Sequence, residues 1–177
     1  MDDSLCFLLS RRAMLSGMAA TVGCTIFPES ACASTRILSA EDQAFLDDLE
    51  RQGSLFFWEQ GSEKTGQVLD RARNNLNGAH DPRRMASIAA TGFGLSALCI
   101  ADNRGYLPHT QIAERVKATL DWHLNSMPEV HGFFYHFTDI ETGVRVPGVE
   151  LSSIDTALLL CGVRTAEAYF DDQQIKN

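Results

Sequence analysis

Residues 87–107, SIAATGFGLSALCIADNRGYL, are the stretch that decides the fold. A helix drawn through them is apolar nearly all round, which is typical of a helix enclosed by other elements. Gly105 is an end signal. Asp81-Pro82 is a start signal, because a capping residue stands directly before proline. The sequence therefore predicts a buried helix from about Arg83 to Asn103.

The next segment predicts a helix of a different kind. Pro108 is its start signal, and Met127-Pro128 ends it. Between these points the apolar residues recur at intervals of four, with charged residues elsewhere: Ile112, Val116, Leu120 and Leu124. A single apolar stripe indicates a helix that covers the core with one face and meets water with the other.

One further helix is predicted on each side of this pair. The first starts at the capping-box pattern Ser39-Ala40-Glu41-Asp42, and its apolar face comprises Phe45, Leu46, Leu49, Phe56 and Phe57. The last runs from about Ser153 to Phe170 and is apolar on most faces. Alternation of buried and striped helices favours two concentric layers, as in an α/α toroid. An ordinary bundle around one central helix is the alternative, and these helices are too few to close a ring.

Residues 131–147 interrupt the helical pattern. They read HGFFYHFTDIETGVRVP, with aromatic and β-branched residues and a turn at Glu141-Thr142-Gly143. This composition is typical of a hairpin or another extended excursion. The predicted fold class is therefore all-α, with a β-hairpin-like excursion near 131–147.

Residues 1–33 predict an export signal of the twin-arginine type, followed by one domain over 34–177. Ser10-Arg11-Arg12-Ala13-Met14-Leu15 provides the arginine pair, and Ala31-Cys32-Ala33 provides a cleavage site. The apolar stretch Met14–Phe27 is too short to span a bilayer. We expect the twin-arginine translocase as a partner, a periplasmic or extracellular location and no stable membrane span. A lipoprotein anchor at Cys24 is the alternative.

The composition of the chain limits the classes of partner that it could bind. The 177 residues carry a formal net charge of −8, with 23 acidic against 15 basic side chains. This balance argues against nucleic acid, because binding to phosphates needs a basic surface. The five histidines are scattered and show no ligand spacing with cysteine. We expect neither a metal nor a cofactor.

Glu150 and Asp155 are the candidate catalytic residues. Asp155 falls three residues after Ser152, in the position of a capping carboxylate, so a purely structural role would also explain it. The same position would stabilise an ionised carboxylate. Glu150 lies in the loop after Pro147-Gly148, where no helix rule requires an acid. Two carboxylates on one loop suit glycoside hydrolysis, and a solvated loop acid is the alternative for Glu150.

Four residues are candidates for binding a sugar. Tyr135 and His136 lie in the aromatic run FFYHF, and exposed aromatic faces stack on sugar rings; packing inside a hairpin is the alternative. Asp70 and Arg71 form an adjacent acid and base in a loop, which would grip polar groups. They would equally form a surface ion pair of little weight.

Four blocks in this order resemble the glucoamylase-like domain family, which is similar to the endo-β-1,2-glucanases of glycoside hydrolase family 144. The blocks are VLDR at 68–71, 87–107, GFFYHFTDIETG at 132–143 and ELSSIDTALLL at 150–160. The resemblance implies an (α/α)₆ toroid and an exported enzyme acting on β-glucan, with β-1,2 linkages favoured. It places acids at Glu150 and Asp155, and it matches Asp70 and Arg71 to the family's LDR.

Members of that family are more than twice this length, and their proton-donating acid lies further along the chain. We therefore expect the sequence to be the N-terminal portion of such a domain and to be inactive as a separate 177-residue polypeptide. The alternatives are a non-catalytic exported carbohydrate-binding protein or truncated remnant, and a related glucan transglycosylase.

Overall fold

The computed structural model describes residues 38–74, 79–171 and 175. The predicted export signal, residues 1–33, lies outside the described residues. The chain divides into two units at Ser39, and the architecture that follows is that of the second, Ala40–Asn177. Among the described helices, none is long and apolar enough to cross a membrane.

Helices make up most of the described structure, so the predicted helical class is confirmed. The four predicted helices are present in the predicted order: α1 (Ala40–Glu59), α2 (Ile88–Asn103), α3 (His109–Asn125) and α4 (Ser153–Tyr169). Helix α2 packs against each of the other three. Its central place agrees with a sequence that is apolar nearly all round.

The predicted start of α2 at Asp81-Pro82 is wrong. The helix begins at Ile88, and the Ser87 hydroxyl caps it by accepting a hydrogen bond from the backbone N–H of Ala90 at 3.3 Å. Asp81 instead accepts hydrogen bonds from the backbone N–H groups of Arg73 and Arg83. An aspartate before proline can stabilise a loop by the same local bonding that caps a helix, so the signal was ambiguous.

Two small antiparallel sheets accompany the helices. In one, β1 (Val68–Leu69), β2 (Met85–Ser87) and β5 (Phe137–Asp139) lie in the order β1-β2-β5; in the other, β3 (Glu129–Val130) pairs with β4 (Phe133–Phe134). The predicted turn at Glu141-Thr142-Gly143 is confirmed by the antiparallel bridge between Thr138 and Arg145, which encloses it. The β3–β4 hairpin was not predicted; its turn residues His131 and Gly132 have φ of 53° and 80°, as a two-residue hairpin turn requires. The β1-β2-β5 sheet was not predicted, because strands this short show no periodicity.

Helices α2 and α4 lie side by side and run in the same direction. Ile88 near the start of α2 shares a cluster with Leu159, and Asp102 near its end accepts a hydrogen bond from the Tyr169 hydroxyl at 2.9 Å. The backbones touch at Gly92 and Gly162, where an added Cβ would lie 2.4 Å and 2.1 Å from a carbonyl oxygen of the facing helix. Both helices therefore begin at the same end, beside β5.

The main apolar core lies between α2, α3 and α4. Its buried members include Leu95, Leu98, Ala101, Ile112, Val116, Ala166 and Phe170. The predicted apolar face of α1 is covered only in part: Phe56 and Phe57 are partly buried, whereas Phe45, Leu46 and Leu49 are exposed. The core thus fixes α2 and α4, the two helices whose N-terminal ends hold the candidate site.

Candidate functional site

Two extended segments meet at the N-terminus of α4. Residues 134–136 run antiparallel to residues 150–152: the backbone N–H of His136 donates to the carbonyl of Glu150 at 3.2 Å, and that of Ser152 donates to the carbonyl of Phe134 at 3.0 Å. This pairing brings the aromatic run FFYHF beside the loop that carries Glu150. Side chains that are distant in sequence therefore face one another here.

Ser152 caps α4, as the sequence predicts. Its hydroxyl accepts a hydrogen bond from the backbone N–H of Asp155 at 3.2 Å and donates one to Asp155 Oδ2. Thr156 joins the helix to β4, because its hydroxyl donates to the Ser152 carbonyl and accepts from the backbone N–H of Phe134. These bonds hold the Asp155 carboxylate at the helix N-terminus, with a side chain only 12% exposed.

The His136 ring lies between the two candidate catalytic carboxylates. Its Nδ1 is 3.0 Å from Glu150 Oε1, and its Nε2 is 3.7 Å from Asp155 Oδ2. The Glu150 side chain is 66% exposed and therefore open to a ligand. Three of the six predicted site residues thus form one group, called here the His136 cluster: His136, Glu150 and Asp155.

The pKa of the Glu150 carboxyl lies below its usual value. The first cause is a hydrogen bond that the carboxylate accepts from its own backbone N–H, and the second is the hydrogen bond to His136. Both stabilise the ionised form. Glu150 is therefore suited to accept a proton or to stabilise positive charge, and poorly suited to donate a proton near neutral pH.

Tyr135 adjoins the cluster and is covered on one side by Arg145. The guanidinium of Arg145 lies 4.6 Å from the Tyr135 ring centroid, and its Nε donates to the carbonyl of Val149 at 2.6 Å. The His136 ring stacks on Phe137, with centroids 3.7 Å apart and an interplanar angle of 21°. One face of each predicted sugar-stacking ring is thus occupied by protein. Sequence analysis missed Arg145, which carried no signal beyond its position in the excursion.

Asp70 and Arg71 do not join the His136 cluster. Asp70 follows β1, and its backbone N–H donates to the carbonyl of Met85, at the start of β2. The carbonyl of His136 accepts instead from the backbone N–H of Ile88, directly after the end of β2. β1 and β5 lie on opposite sides of β2. Arg71 Nε lies 2.5 Å from Asp70 Oδ2 and its side chain is 70% exposed. The two residues form a surface ion pair at the other end of the sheet.

Two further ion pairs lie at that end and were not predicted. Arg83 binds both oxygens of the fully buried Asp81, and Arg84 binds both oxygens of Asp139. The Arg83 guanidinium holds the pKa of Asp81 far below its usual value, and Arg84 lowers that of Asp139 to about 2. Together with Asp70–Arg71 these are called the sheet-end pairs.

A separate open cleft of about 530 Å³ lies at the C-terminal end of α1 and contains none of the predicted site residues. Arg115 stacks on Trp58 there, with 4.4 Å between guanidinium and ring centroid. Its Nη1 lies 3.5 Å from the carbonyls of Trp58 and Gly61. A cation at these carbonyls stabilises the helix end, which accounts for Arg115. In the described part of the chain, no group of three or more His, Cys, Asp or Glu could hold a metal ion.

The chain is similar to proteins that are named as acting on glucans. No family model matches the chain. An exo-β-1,2-glucooligosaccharide sophorohydrolase (non-reducing end) of Parabacteroides distasonis is 28% identical over 142 residues, which cover 76% of this chain and 18% of that protein. An endo-β-1,2-glucanase from Chitinophaga pinensis, solved with sophorotriose and glucose, has a TM-score of 0.66 at 24% identity. A Bacteroides uniformis protein provisionally named a glucoamylase has a TM-score of 0.66 at 21% identity.

The resemblance to glucoamylase-like proteins and endo-β-1,2-glucanases is thereby confirmed. The two solved structures match 79% and 80% of this chain, and the match covers 34% of each of them. At these identities they show a shared fold. The chain spans about 18% of the length of the curated relative.

Proposed function

We propose that this chain carries part of the active site of a glycoside hydrolase that acts on β-glucan, with β-1,2-linked glucan as the substrate. The His136 cluster is the observation that carries the proposal, because it places two carboxylates around one imidazole at a helix N-terminus. The supporting comparisons are the sophorohydrolase of P. distasonis and the fold of the C. pinensis endo-β-1,2-glucanase.

The geometry assigns different parts to the two acids. Exposed and ionised, Glu150 would act as a base or stabilise the positive charge that develops at the anomeric carbon. The Asp155 carboxylate accepts the Ser152 hydroxyl and faces His136 Nε2. It would bind a sugar hydroxyl or orient water. The lowered pKa of Glu150 does not suit it to protonate the leaving group, so we assign that step to another residue.

We further propose that the four helices belong to an (α/α)₆ toroid and that the protein is exported by the twin-arginine route to the periplasm or beyond. The first part is supported by the shared fold with the glucoamylase-like B. uniformis protein. The second is supported by the Arg11-Arg12 pair and the Ala31-Cys32-Ala33 site. An exported protein would meet polymeric glucan outside the cytoplasm.

The test compares glucan binding and glucan cleavage. The 177-residue chain is titrated with linear β-1,2-glucan, linear β-1,3-glucan and starch, and the native gene product from the source cells is assayed for reducing ends. We expect preferential binding of β-1,2-glucan and its cleavage by the native product. Glu150→Gln and Asp155→Asn should each lower turnover by about 100-fold or more with an unchanged helical circular dichroism spectrum. Binding of starch alone, or a loss of fold that accounts for the activity loss, contradicts the proposal.

A second candidate function is sugar binding without turnover. The observation that favours it is the lowered pKa of Glu150, which keeps this exposed carboxyl ionised rather than ready to donate a proton. It predicts that the native gene product binds β-1,2-glucan and releases no reducing ends from it.

A further inference from the structure

His136 is the described residue that lies within ion-pair distance of both candidate catalytic carboxylates. An imidazole can donate hydrogen bonds from both nitrogens only when it is protonated; the neutral ring has one donor and one acceptor. The contact with Glu150 is a hydrogen bond, whereas the 3.7 Å from Nε2 to Asp155 is an ion-pair distance and longer than a hydrogen bond. Two carboxylates therefore match the charge of the imidazolium, whereas a neutral ring turns a lone pair toward one of them. The arrangement thus makes the geometry of both acids depend on one proton.

Contacts other than those with the two carboxylate groups also hold the ring in place. Phe137 stacks on one face. The backbone of His136 donates to the Glu150 carbonyl and accepts from the backbone N–H of Ile88, each at 3.2 Å. The charged groups around the ring are Glu150 on the loop, Asp155 on α4, and Arg145, which also acts on Glu150. A fixed ring with two acids at its ends can set their separation.

We propose that His136 is a positioning residue of the site: its imidazolium holds Glu150 and Asp155 apart at a fixed distance, and loss of its proton frees one of them. This inference rests on the proposed function. The shorter contact, 3.0 Å from Nδ1, would keep the remaining proton on the Glu150 side. The neutral ring then faces Asp155 with a lone pair, so the restraint on Asp155 is the one lost as pH rises.

The first test needs no substrate. The full chain is labelled with ¹³C at the glutamate carboxyls and its spectrum is followed from pH 3 to 9. The Glu150 signal should titrate below the usual glutamate range and shift a second time when the His136 ring loses its charge. In His136→Gln the pKa of Glu150 should rise and the second shift should vanish. His109→Gln is the matched control, because His109 pairs with Asp102 at 2.9 Å and lies at the other end of α2.

The second test measures affinity for a β-1,2-linked glucotetraose between pH 5.5 and 8. As pH rises over this range, wild type and His109→Gln should lose about tenfold in affinity. This is the change expected when the freed Asp155 loses one charge-assisted hydrogen bond to the sugar. His136→Gln should bind the tetraose weakly at every pH, and its affinity should not change with pH.

The positioning role is overturned if the affinity of His136→Gln depends on pH as strongly as that of wild type. It is also overturned if the second shift of the Glu150 signal persists in this variant. Failure of all three proteins to bind the tetraose would overturn the proposed function instead, and the carboxyl titration would still decide the part played by His136.

Discussion

The sheet-end pairs and the His136 cluster both join acids to basic side chains, but the bases differ. At the sheet end each aspartate has its own arginine. Asp81 and Asp139 each accept hydrogen bonds from that arginine through both carboxylate oxygens. In the His136 cluster two carboxylates share a single imidazole. Arginine stays charged at every relevant pH, whereas histidine loses its charge near neutrality.

The carboxylates of the two groups also differ in burial. The Asp81 side chain is fully buried, while that of Glu150 is 66% exposed. A carboxylate that is enclosed and neutralised by its own arginine has no capacity left for a ligand. One that is exposed and only partly compensated keeps that capacity. The difference predicts that the buried Asp81–Arg83 pair serves the fold and that Glu150 of the His136 cluster is accessible to a ligand.

The largest expected effect comes from separating α2 from α4. In Gly162→Val the new Cβ would meet backbone of α2 at 2.1 Å, and backbone cannot move aside cheaply. We expect a loss of about 3 kcal/mol or more in the free energy of unfolding, measured with urea. Gly53→Ala is the control, because a Cβ there meets nothing within 4 Å; it should be neutral or stabilising. Equal losses in both variants would contradict the close helix contact.

Removal of the buried charge at the sheet end should have the next largest effect on stability. Asp81→Asn leaves Arg83 without its partner and weakens the bonds to two backbone N–H groups. We expect the thermal midpoint to fall by about 5–10 °C, followed by circular dichroism. Asp121→Asn removes an acid from the exposed pair with Lys117 and should shift the midpoint by about 1 °C at most. A similar shift in both variants would remove the distinction between buried and exposed pairs.

Asp139 provides a pH test of the same region. Its pKa is about 2 in the folded chain against an ordinary 3.8, chiefly because of Arg84. A lowered folded pKa stabilises the fold above the ordinary value, and this stability is lost as pH falls from about 4 through 2. Because the Arg84 side chain is 58% exposed, we expect about 1 kcal/mol. Urea unfolding at pH 7, 4 and 2.5 measures it, and Asp139→Asn should lose that increment at pH 7.

Glu150→Gln should have the smallest effect on stability. Its carboxylate is exposed and bound to a titratable partner, so the thermal midpoint at pH 7 should stay within about 1 °C of wild type. A fall as large as that of Asp81→Asn would show that Glu150 belongs with the structural acids, and the comparison would break down.

Features set by neighbours in sequence were predictable. The cap Ser152-x-x-Asp155 depends on residues three apart, and the structure forms it as expected. The apolar stripe of α3 is equally local: Ile112 and Val116 are fully buried and Leu120 is partly buried. The prediction was wrong for Leu124, which is 79% exposed at the end of the helix. Helix order followed from these patterns, because each helix carries its own periodicity and its own start or stop signal.

Features that need distant strands to meet were not predictable. The contact of His136 with Glu150 requires the pairing of 134–136 with 150–152, and nothing in either segment specifies that register. Asp81 contacts the backbone of Arg73 and the side chain of Gln60, and no local pattern specifies these partners. An acid before proline suits a helix start and a loop equally well, so local rules could not separate them.

The pairing of residues 134–136 with 150–152 also has a consequence for folding order. His136 and Glu150 are 14 residues apart, whereas the buried bond from Thr138 to Gln67 in the sheet region spans 71. Closing the longer loop costs about 1.4 kcal/mol more in chain entropy. The charged centre of the site can therefore assemble from one short stretch of chain before the β1-β2-β5 sheet has closed.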